Sequence, residues 1–253
     1  MLMTRPDLPV GGNDDYPWDE FDSDSYFAHN YESLRPDDRV IIEAARDFFA
    51  GAGLPENLSG VDVGTGTNLY PALTLLPFCE TIDLLEYSES NVRWLREKVP
   101  SPEAASWEPF WRLLARRDRY AAVSDPLARL AERTSIEQGS VFRLPAARWD
   151  IGSMFFVAES ISTKMSEFRD ALHRFLAALR PGAPFAIALM ENSAGYPVGR
   201  HKFPAVAVKA GDVKECLEGS TEQLVFTSVG AGDNPLRAGY TGMILVCGRR
   251  QTI

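Results

Sequence analysis

Residues 61–70 read VDVGTGTNLY, a short β-branched run that ends in two closely spaced glycines and passes into a helical pattern. Gly64 and Gly66 stand where a strand must turn sharply into a helix, and their missing Cβ atoms let a ligand approach the backbone. The stretch therefore predicts a strand–loop–helix unit with a site for a nucleoside-type ligand at the loop.

The segments that follow extend this unit into an alternating α/β fold. TIDLLEY (81–87) predicts a second strand, and SESNVRWLREKV (88–99) predicts a helix that Ser88 caps. Five further strand patterns are IEQGSVF (136–142), DIGSMFFV (150–157), APFAIALM (183–190), QLVFTSV (223–229) and TGMILVCG (241–248). Because strands alternate with helices, most strands are expected to be parallel. We predict a Rossmann-like, seven-stranded, mostly parallel sheet with a terminal antiparallel hairpin.

The other segments are predicted additions to one domain. Residues 1–24 hold seven acids against one base and have no apolar period, which predicts a flexible acidic arm. A single domain is predicted over residues 25–253. Within it, residues 25–53 form an N-terminal helical lid, residues 100–135 a helical insertion, and residues 191–209 an insertion whose alternating FPAVAVK forms an edge ribbon.

Composition excludes several classes of protein. The 253 residues are 45% hydrophobic, enough for a sizeable core, and the net charge is −9 because 35 acids outnumber 26 bases. This balance disfavours a nucleic-acid partner. No apolar run is long enough for a membrane span, and the first residues lack the apolar segment of a signal peptide. We therefore predict a cytoplasmic monomer that binds no nucleic acid and no membrane.

The number and spacing of the cysteines and histidines disfavour a metal site. Three cysteines are an odd number without CxxC spacing, and three histidines lie far apart in the sequence. Neither set has the spacing of a zinc site or of a disulfide framework. No metal is predicted, and the thiols are expected to be reduced.

An acid at the end of the second predicted strand strengthens the nucleoside interpretation. Glu86 follows Gly64 by about 22 residues, a spacing at which a carboxylate accepts hydrogen bonds from ribose hydroxyls, and Tyr87 next to it can lie on an adenine face. A dinucleotide motif would need a third glycine, where Leu69 stands. Asp62, two residues before Gly64, is instead typical of S-adenosylmethionine (AdoMet) methyltransferases. An NAD-dependent dehydrogenase is the alternative.

From about residue 24 onward, the chain resembles the nicotinamide, phenylethanolamine and thioether or indolethylamine N-methyltransferase family. YFAHNYESLRP, VDVGTGTNLY, LLEYSESN and the inserted SWEPFW carry the likeness. In GSVFRLP, Ser140 stands where the family has an acid for the adenine amino group, and in FFVAES, Val157 is expected near the sulfonium. The cofactor-binding residues that the resemblance implies are Tyr26, Tyr31, Asp62, Gly64, Thr65, Gly66, Thr67, Tyr70, Glu86, Tyr87, Asn91, Ser140, Val141 and Val157.

The resemblance also implies an acceptor side. Its predicted substrate-binding residues are Glu159, Glu191, Ser193 and Tyr196, and Glu159 and Tyr26 are the predicted catalytic residues. The phenylethanolamine branch holds its amine with an acid near the last hairpin turn, but NPLRAGYTG (234–242) has none. We predict methyl transfer, with nitrogen favoured over oxygen or sulfur, to a small aromatic or heteroaromatic acceptor. A neutral heteroaromatic compound or a specialised-metabolite intermediate is favoured over a cationic ethanolamine-like amine. A non-catalytic AdoMet or S-adenosylhomocysteine binding protein is the second alternative.

Overall fold

The structure is a computed structural model that describes residues 10–100, 104–232, 236–237 and 239–252. Its strands are β1 (Leu58–Val63), β2 (Cys79–Glu86), β3 (Thr134–Gln138), β4 (Ile151–Phe155), β5 (Pro184–Glu191), β6 (Tyr196–Val198), β7 (His201–Phe203), β8 (Thr221–Gly230) and β9 (Gly242–Arg250). Among the described residues, seven strands form one sheet in the order β3-β2-β1-β4-β5-β9-β8, and β6 pairs with β7. Strands β1 to β5 are parallel, and β9 is antiparallel to both of its neighbours. The predicted fold class is confirmed.

Helices connect and cover the strands. They are α1 (Ser23–Asn30), α2 (Pro36–Gly51), α3 (Tyr70–Leu75), α4 (Glu89–Lys98), α5 (Ala104–Leu114), α6 (Asp118–Ala121), α7 (Pro126–Arg133), α8 (Met165–Ala178) and α9 (Ala210–Leu217). Pro36 begins α2 and is followed by two acids, which suit a helix N-terminus. Ser88 caps α4 as predicted, because its hydroxyl accepts the Asn91 N–H at 3.3 Å. No helix in these parts of the chain is long and apolar enough to cross a membrane.

Two apolar layers bury the sheet. One layer packs side chains of α2, α3 and α5 against one face, with Phe49 and Phe110 fully buried. The other packs α8 and α9 against the opposite face around Phe175 and Phe185. Burial on both faces explains why strands such as β4 and β5 read as continuous apolar runs rather than alternating ones.

The strand order reverses between β1 and β4, which places a crevice at their carboxyl ends. Chain connections leave β1 toward β2 on one side, whereas β4 lies on its other side. In open α/β sheets, ligands bind at such a reversal point. The glycine loop after β1 opens onto this crevice.

The predicted strand IEQGSVF is shorter than expected. Strand β3 ends at Gln138, and residues Val141–Arg143 form a 3-10 turn. The Ser140 hydroxyl accepts the Phe142 N–H at 3.3 Å, so a side chain takes the place of a strand partner. The chain therefore turns across the end of β2 instead of continuing along it.

The edge ribbon lies earlier in the sequence than predicted. It pairs β6 with β7 around Gly199, whose φ is +54°. Most of FPAVAVK lies outside a strand, because Pro204 has no N–H to donate to a ladder. Val206 donates instead to the Glu159 carbonyl, and Val208 accepts from the Asn192 N–H. This segment thus closes over the ends of β4 and β5.

The predicted flexible arm is packed against the domain from residue 11 onward. Gly11 donates to the Thr163 hydroxyl at 2.9 Å, and Asn13 donates to the Glu167 carboxylate at 2.7 Å. Phe21 packs on Phe203 of the ribbon with ring centroids 4.9 Å apart. Aromatic burial and backbone hydrogen bonds therefore hold a segment whose acidic composition predicts disorder. Residues 1–9 of the predicted arm lie outside the described residues.

Candidate active site

A cavity lies at the carboxyl ends of β1, β2 and β4, beneath the N-terminal segment. Glycine-loop, strand-end and aromatic side chains form its walls. Its lining residues are Asn13, Trp18, Phe21, Tyr26, Tyr31, Val63, Gly64, Thr65, Gly66, Thr67, Asn68, Leu85, Glu86, Tyr87, Asn91, Gly139, Ser140, Val141, Phe155, Phe156, Val157, Ser160, Ile161 and Tyr196. Thirteen of the predicted site residues are in this set: twelve of the predicted cofactor-binding residues and, of the four predicted substrate-binding residues, Tyr196.

The glycine loop has the backbone that its sequence predicts. Gly64 and Gly66 have φ values of +69° and +55°, in the left-handed region that favours glycine. A Cβ on Gly64 would lie 2.5 Å from Cγ2 of Val157. The loop therefore needs glycine for its turn and for its close approach to the end of β4.

Strand register brings Glu86 beside this loop. Val63 of β1 pairs with Leu85 of β2, so the residues that follow them emerge side by side. The Glu86 carboxylate accepts the Gly66 N–H at 2.8 Å through one oxygen and the Ser88 N–H at 2.8 Å through the other. Burial raises the pKa of Glu86 above its usual range, which the backbone donors oppose. Two N–H groups thus fix the orientation of a buried carboxyl at the cavity wall.

Polar side chains around Glu86 complete the predicted nucleoside half. Tyr87 is 37% exposed, and its hydroxyl donates to Asp14 at 2.8 Å. Asn91, at the start of α4, accepts the Ser23 hydroxyl at 2.7 Å. These contacts tie the nucleoside side of the cavity to the N-terminal segment.

Two loop side chains have buried polar atoms that find no partner among the described residues. Thr67 Oγ1 and Asn68 Nδ2 make no hydrogen bond to any described residue, although both side chains line the cavity. Buried polar groups in native proteins are almost always satisfied, so unpaired ones at a cavity wall call for a polar ligand. The amino-acid portion of AdoMet supplies both donors and acceptors, and the donor set of this loop fits it.

Asp62 and Tyr70 lie behind the wall instead of on it. Asp62 is 1% exposed, accepts the Ser153 hydroxyl at 2.7 Å, and has its pKa raised to about 7 by burial. Tyr70 is fully buried and donates to Asp38 at 3.0 Å. Their positions support the loop from beneath, and direct cofactor contact from either residue stays a prediction.

An aromatic lid covers the cavity. Tyr26 and Tyr31 stand edge to face with ring centroids 6.1 Å apart, and Tyr26 also packs on Phe21 at 5.0 Å. Trp18 and Phe21 line the same cavity, although both fall in the segment predicted to be a flexible arm. Three aromatic residues spaced through residues 16–21 are the sequence signal that could have identified this part of the lid.

The predicted acceptor residues are divided between the wall and its backing. Tyr196 lines the cavity, and its hydroxyl contacts the Ser160 carbonyl at 3.4 Å. Glu159 is fully buried next to wall residue Ser160, and its Oε1 accepts the Met190 N–H at 2.9 Å. Burial raises the pKa of Glu159 to about 7. Its Oε2 has no partner among the described residues.

Ser193 and Glu191 lie farther from the wall. The Ser193 hydroxyl is fully buried and makes no hydrogen bond to a described residue. Glu191 accepts the Thr241 hydroxyl at 2.7 Å at the end of β5. Neither side chain lines the cavity, so their role in acceptor binding remains a prediction.

Sequence reasoning missed Arg237. Its side chain is 7% exposed, its Nη2 donates to the Tyr26 hydroxyl at 3.0 Å, and its guanidinium carbon lies 4.0 Å from the centroid of the Tyr196 ring. It lies within NPLRAGYTG (234–242), the stretch in which the phenylethanolamine branch is expected to have an acid. The described residues contain no cluster of three His, Cys, Asp or Glu side chains placed to hold a metal ion.

Known proteins resemble this chain in sequence and in fold. A model of the NNMT/PNMT/TEMT family matches residues 10–251. Phenylethanolamine N-methyltransferase from Mus musculus is 26% identical over 175 residues, which are 62% of this chain and 57% of the mouse protein. The same enzyme from Macaca mulatta is 25% identical over 174 residues, 62% of this chain and 60% of that protein. The chain thus spans less than two thirds of the length of these curated relatives.

A solved structure gives a likeness of fold. The Burkholderia thailandensis 1,6-didemethyltoxoflavin-N1-methyltransferase, with bound 1,6-didemethyltoxoflavin and S-adenosylhomocysteine, is 19% identical and has a TM-score of 0.53. The match covers 97% of this chain and 93% of that one. At this identity the likeness concerns the arrangement of strands and helices.

Proposed function

The chain belongs to the NNMT/PNMT/TEMT family, and from this membership we propose that it transfers the methyl group of AdoMet to a nitrogen of a small aromatic or heteroaromatic acceptor. The family resemblance predicted from the sequence is thereby confirmed, and it is a family of AdoMet-dependent methyltransferases. Glu86 carries the proposal: it is a buried carboxyl held by two backbone N–H groups beside a left-handed glycine loop.

We assign the cofactor to the half of the cavity formed by the ends of β1 and β2. Glu86 accepts the ribose hydroxyls, Tyr87 covers the adenine, and the backbone at Gly64 and Gly66 approaches the amino-acid portion. Thr67 and Asn68 offer it two buried polar atoms that lack partners in the part of the chain that the structure describes. Bound AdoMet supplies an electrophilic methyl group on a sulfonium.

Positioning is the main contribution of the protein to such a reaction. The acceptor lone pair must approach the methyl carbon in line, and a closed apolar site holds that geometry and excludes water. Tyr26 and Tyr31 close the cavity from above, and Val157 fixes its floor beside Gly64. We propose that Tyr26 contacts the acceptor as well as the cofactor.

A nitrogen acceptor fits the buried carboxyl at the acceptor side. A primary amine must lose a proton during transfer, and Glu159, with a pKa raised to about 7, is poised to accept one near neutral pH. Its unpartnered Oε2 is the atom that would do so. The relatives named phenylethanolamine N-methyltransferase support nitrogen as the atom methylated.

Binding and transfer test the proposal separately. Calorimetric titration should show AdoMet and S-adenosylhomocysteine binding, with no comparable heat from NAD⁺. Release of S-adenosylhomocysteine with a panel of aromatic amines and N-heterocycles should then identify an acceptor. Tighter binding of NAD⁺ would contradict the proposal, and cofactor binding without transfer to any acceptor would make this a binding protein.

The active unit is proposed to be one chain acting alone in the cytoplasm. Residues from Asn13 to Tyr196 of a single chain line the cavity, so no second copy is needed to build it. Gel filtration with light scattering tests this part, and a dimer at micromolar concentration would contradict it.

A further inference from the structure

A buried arginine adjoins the acceptor side of the cavity. Arg237 is 7% exposed and touches two wall residues, through a 3.0 Å hydrogen bond to the Tyr26 hydroxyl and through the face of the Tyr196 ring. Both tyrosines line the cavity. The guanidinium therefore sits directly behind the surface against which an acceptor would lie.

One end of this guanidinium has no hydrogen-bond partner among the described residues. Arg237 Nη1 is buried and makes no hydrogen bond to any described residue. Glu159 influences Arg237 electrostatically, but the two side chains form no ion pair in the described structure, and Glu159 Oε2 also lacks a partner. Burying a charged group without its hydrogen bonds is costly. Arg237 Nη1 and Glu159 Oε2 are therefore both available to bind a ligand.

A second buried arginine shows what a structural role looks like in this protein. Arg46 is also 7% exposed, yet its Nε donates to Asp47 at 2.7 Å and its Nη1 donates to the Leu113 carbonyl at 2.6 Å. Arg237 has no carboxylate or carbonyl partner of this kind among the described residues. The two arginines are equally buried, but only Arg46 has its hydrogen bonds filled by a carboxylate and a carbonyl. This difference favours a structural role for Arg46 and a ligand-binding role for Arg237.

We propose that Arg237 binds an anionic group of the methyl acceptor, which makes the acceptor a small aromatic or heteroaromatic acid. This inference rests on the proposed methyltransferase function and names its substrate class. A guanidinium recognises a carboxylate through parallel hydrogen bonds. Glu159 then receives an N–H of the same molecule, while Tyr26 and Tyr196 flank its ring.

The positive charge of Arg237 also disfavours acceptors that carry a positive charge. The phenylethanolamine branch is expected to carry an acid in the stretch that corresponds to residues 234–242, whereas this chain carries a base there. A buried guanidinium repels an ammonium and leaves it without a counter-charge. This acidic acceptor differs from the neutral heteroaromatic acceptor that the sequence predicts.

Matched ligands test the charge without changing the shape. The protein, saturated with S-adenosylhomocysteine, is titrated with nicotinate against nicotinamide and with anthranilate against anthranilamide, and benzylamine serves as the cation. Ligand-observed NMR measures each affinity. We expect each carboxylate to bind at least about tenfold more tightly than its amide, the effect of a charge-assisted hydrogen bond, and benzylamine to bind most weakly.

Variants locate the preference. Arg237→Met should reduce the carboxylate preference to within about threefold while the S-adenosylhomocysteine affinity is retained, and Arg237→Lys should keep part of the preference because it keeps the charge. Arg174→Met removes an exposed cation from α8 and should leave the preference unchanged. Arg237→Lys also serves if Arg237→Met does not fold.

The outcomes separate this inference from the function on which it rests. If S-adenosylhomocysteine does not bind, the proposed function fails and the inference with it. If S-adenosylhomocysteine binds but the carboxylates bind no better than the amides, only the role of Arg237 is overturned. An unchanged preference in folded Arg237→Met would overturn it as well.

Discussion

The carboxylate of Glu86 accepts the backbone N–H of Gly66 at 2.8 Å, which joins the end of β2 to the glycine loop that follows β1. Because the same carboxyl also holds the Ser88 N–H, the loop and the start of α4 share one buried anchor. A ligand that bonds to Glu86 therefore contacts a group already fixed in place, and little ordering cost is expected on binding.

Replacing Glu86 should weaken cofactor binding more than it disturbs the fold. Glu86→Ala removes the acceptor of two ribose hydroxyls, and the affinity for AdoMet should fall by about 1.5–3 kcal/mol, the range for hydrogen bonds to a charged group. Calorimetry measures the affinity, and circular dichroism checks folding. Glu97→Ala, at the exposed far end of α4, is the matched control and should bind normally. Unchanged affinity in folded Glu86→Ala would remove the ribose assignment.

Gly64 should tolerate alanine less well than Gly53 does. The two glycines have similar backbone angles, with φ values of +69° at Gly64 and +63° at Gly53. A Cβ added to Gly64 would lie 2.5 Å from Val157, whereas a Cβ added to Gly53 would have no atom within 4 Å. Gly53→Ala should cost only the left-handed conformation, about 1–2 kcal/mol. Gly64→Ala should cost more, and adding Val157→Ala should recover the difference. Urea unfolding gives each free energy, and equal losses at the two glycines would contradict the close packing.

The Tyr26 hydroxyl should matter more for ligand binding than for stability. Tyr26→Phe removes the acceptor of the Arg237 hydrogen bond. Turnover or cofactor affinity should therefore fall by an amount that corresponds to about 0.5–1.5 kcal/mol, the range for one hydrogen bond. Tyr120→Phe is the control, because its hydroxyl donates to the Thr74 carbonyl at 2.8 Å inside the core. That variant should lose melting temperature and keep its affinity. The same pattern in both variants would make Tyr26 an ordinary core residue.

The protonated carboxyl of Asp62 should stabilise the fold at low pH, and this stability should be lost as pH rises. Burial raises its pKa from 3.8 to about 7, so the folded protein holds a proton that the unfolded chain has already released. That contribution is present below about pH 4 and is lost as pH rises through about 7. Asp62→Asn should therefore lose less stability than the parent between about pH 4 and about pH 7 in urea unfolding.

Asp47 is the control for that experiment, because its pKa is shifted the other way. Its hydrogen bond from Arg117 holds the pKa of the Asp47 carboxyl well below its usual range, so its contribution is constant from about pH 5 upward. Asp47→Asn should keep the parent's slope. If Asp62→Asn also keeps that slope, the Asp62 carboxyl is already ionised in the folded protein at low pH.

The cofactor half of the site could be predicted because local sequence determines it. Left-handed glycines, an acid at the next strand end and parallel register place Gly64 and Glu86 together without knowledge of distant packing. The same local reasoning failed where side chains redirect the backbone. Ser140 ends a predicted strand through its own hydrogen bond, and Pro204 ends the ribbon.

The acceptor half depends on contacts between distant segments. Tyr26 and Arg237 are separated by 211 positions in the sequence, so no local sequence pattern predicts their hydrogen bond. Trp18 lies in a segment whose acidic composition predicts disorder. Its ring nevertheless packs on Phe203 of the ribbon. Sequence reasoning thus identified the missing acid in the last hairpin, whereas only the structure shows the buried base nearby.

Glu159 should contribute to the rate and little to cofactor binding. Its Oε1 is fixed by the Met190 N–H and the Ser160 hydroxyl, at 2.9 and 3.1 Å, which leaves Oε2 to act on the acceptor. Glu159→Gln keeps the size of the side chain but cannot take a proton, so kcat should fall by on the order of 10²-fold. The affinity for AdoMet should stay within a factor of about two. Glu215→Gln, on α9, is the control, because that carboxyl is exposed, pairs with Arg169 and lies away from the cavity. With the parent enzyme, the rate on a primary aromatic amine should rise as pH passes about 7, when Glu159 loses its proton, and this rise should disappear in Glu159→Gln. A rate within about threefold of the parent, with the pH dependence intact, would mean that positioning alone drives the transfer.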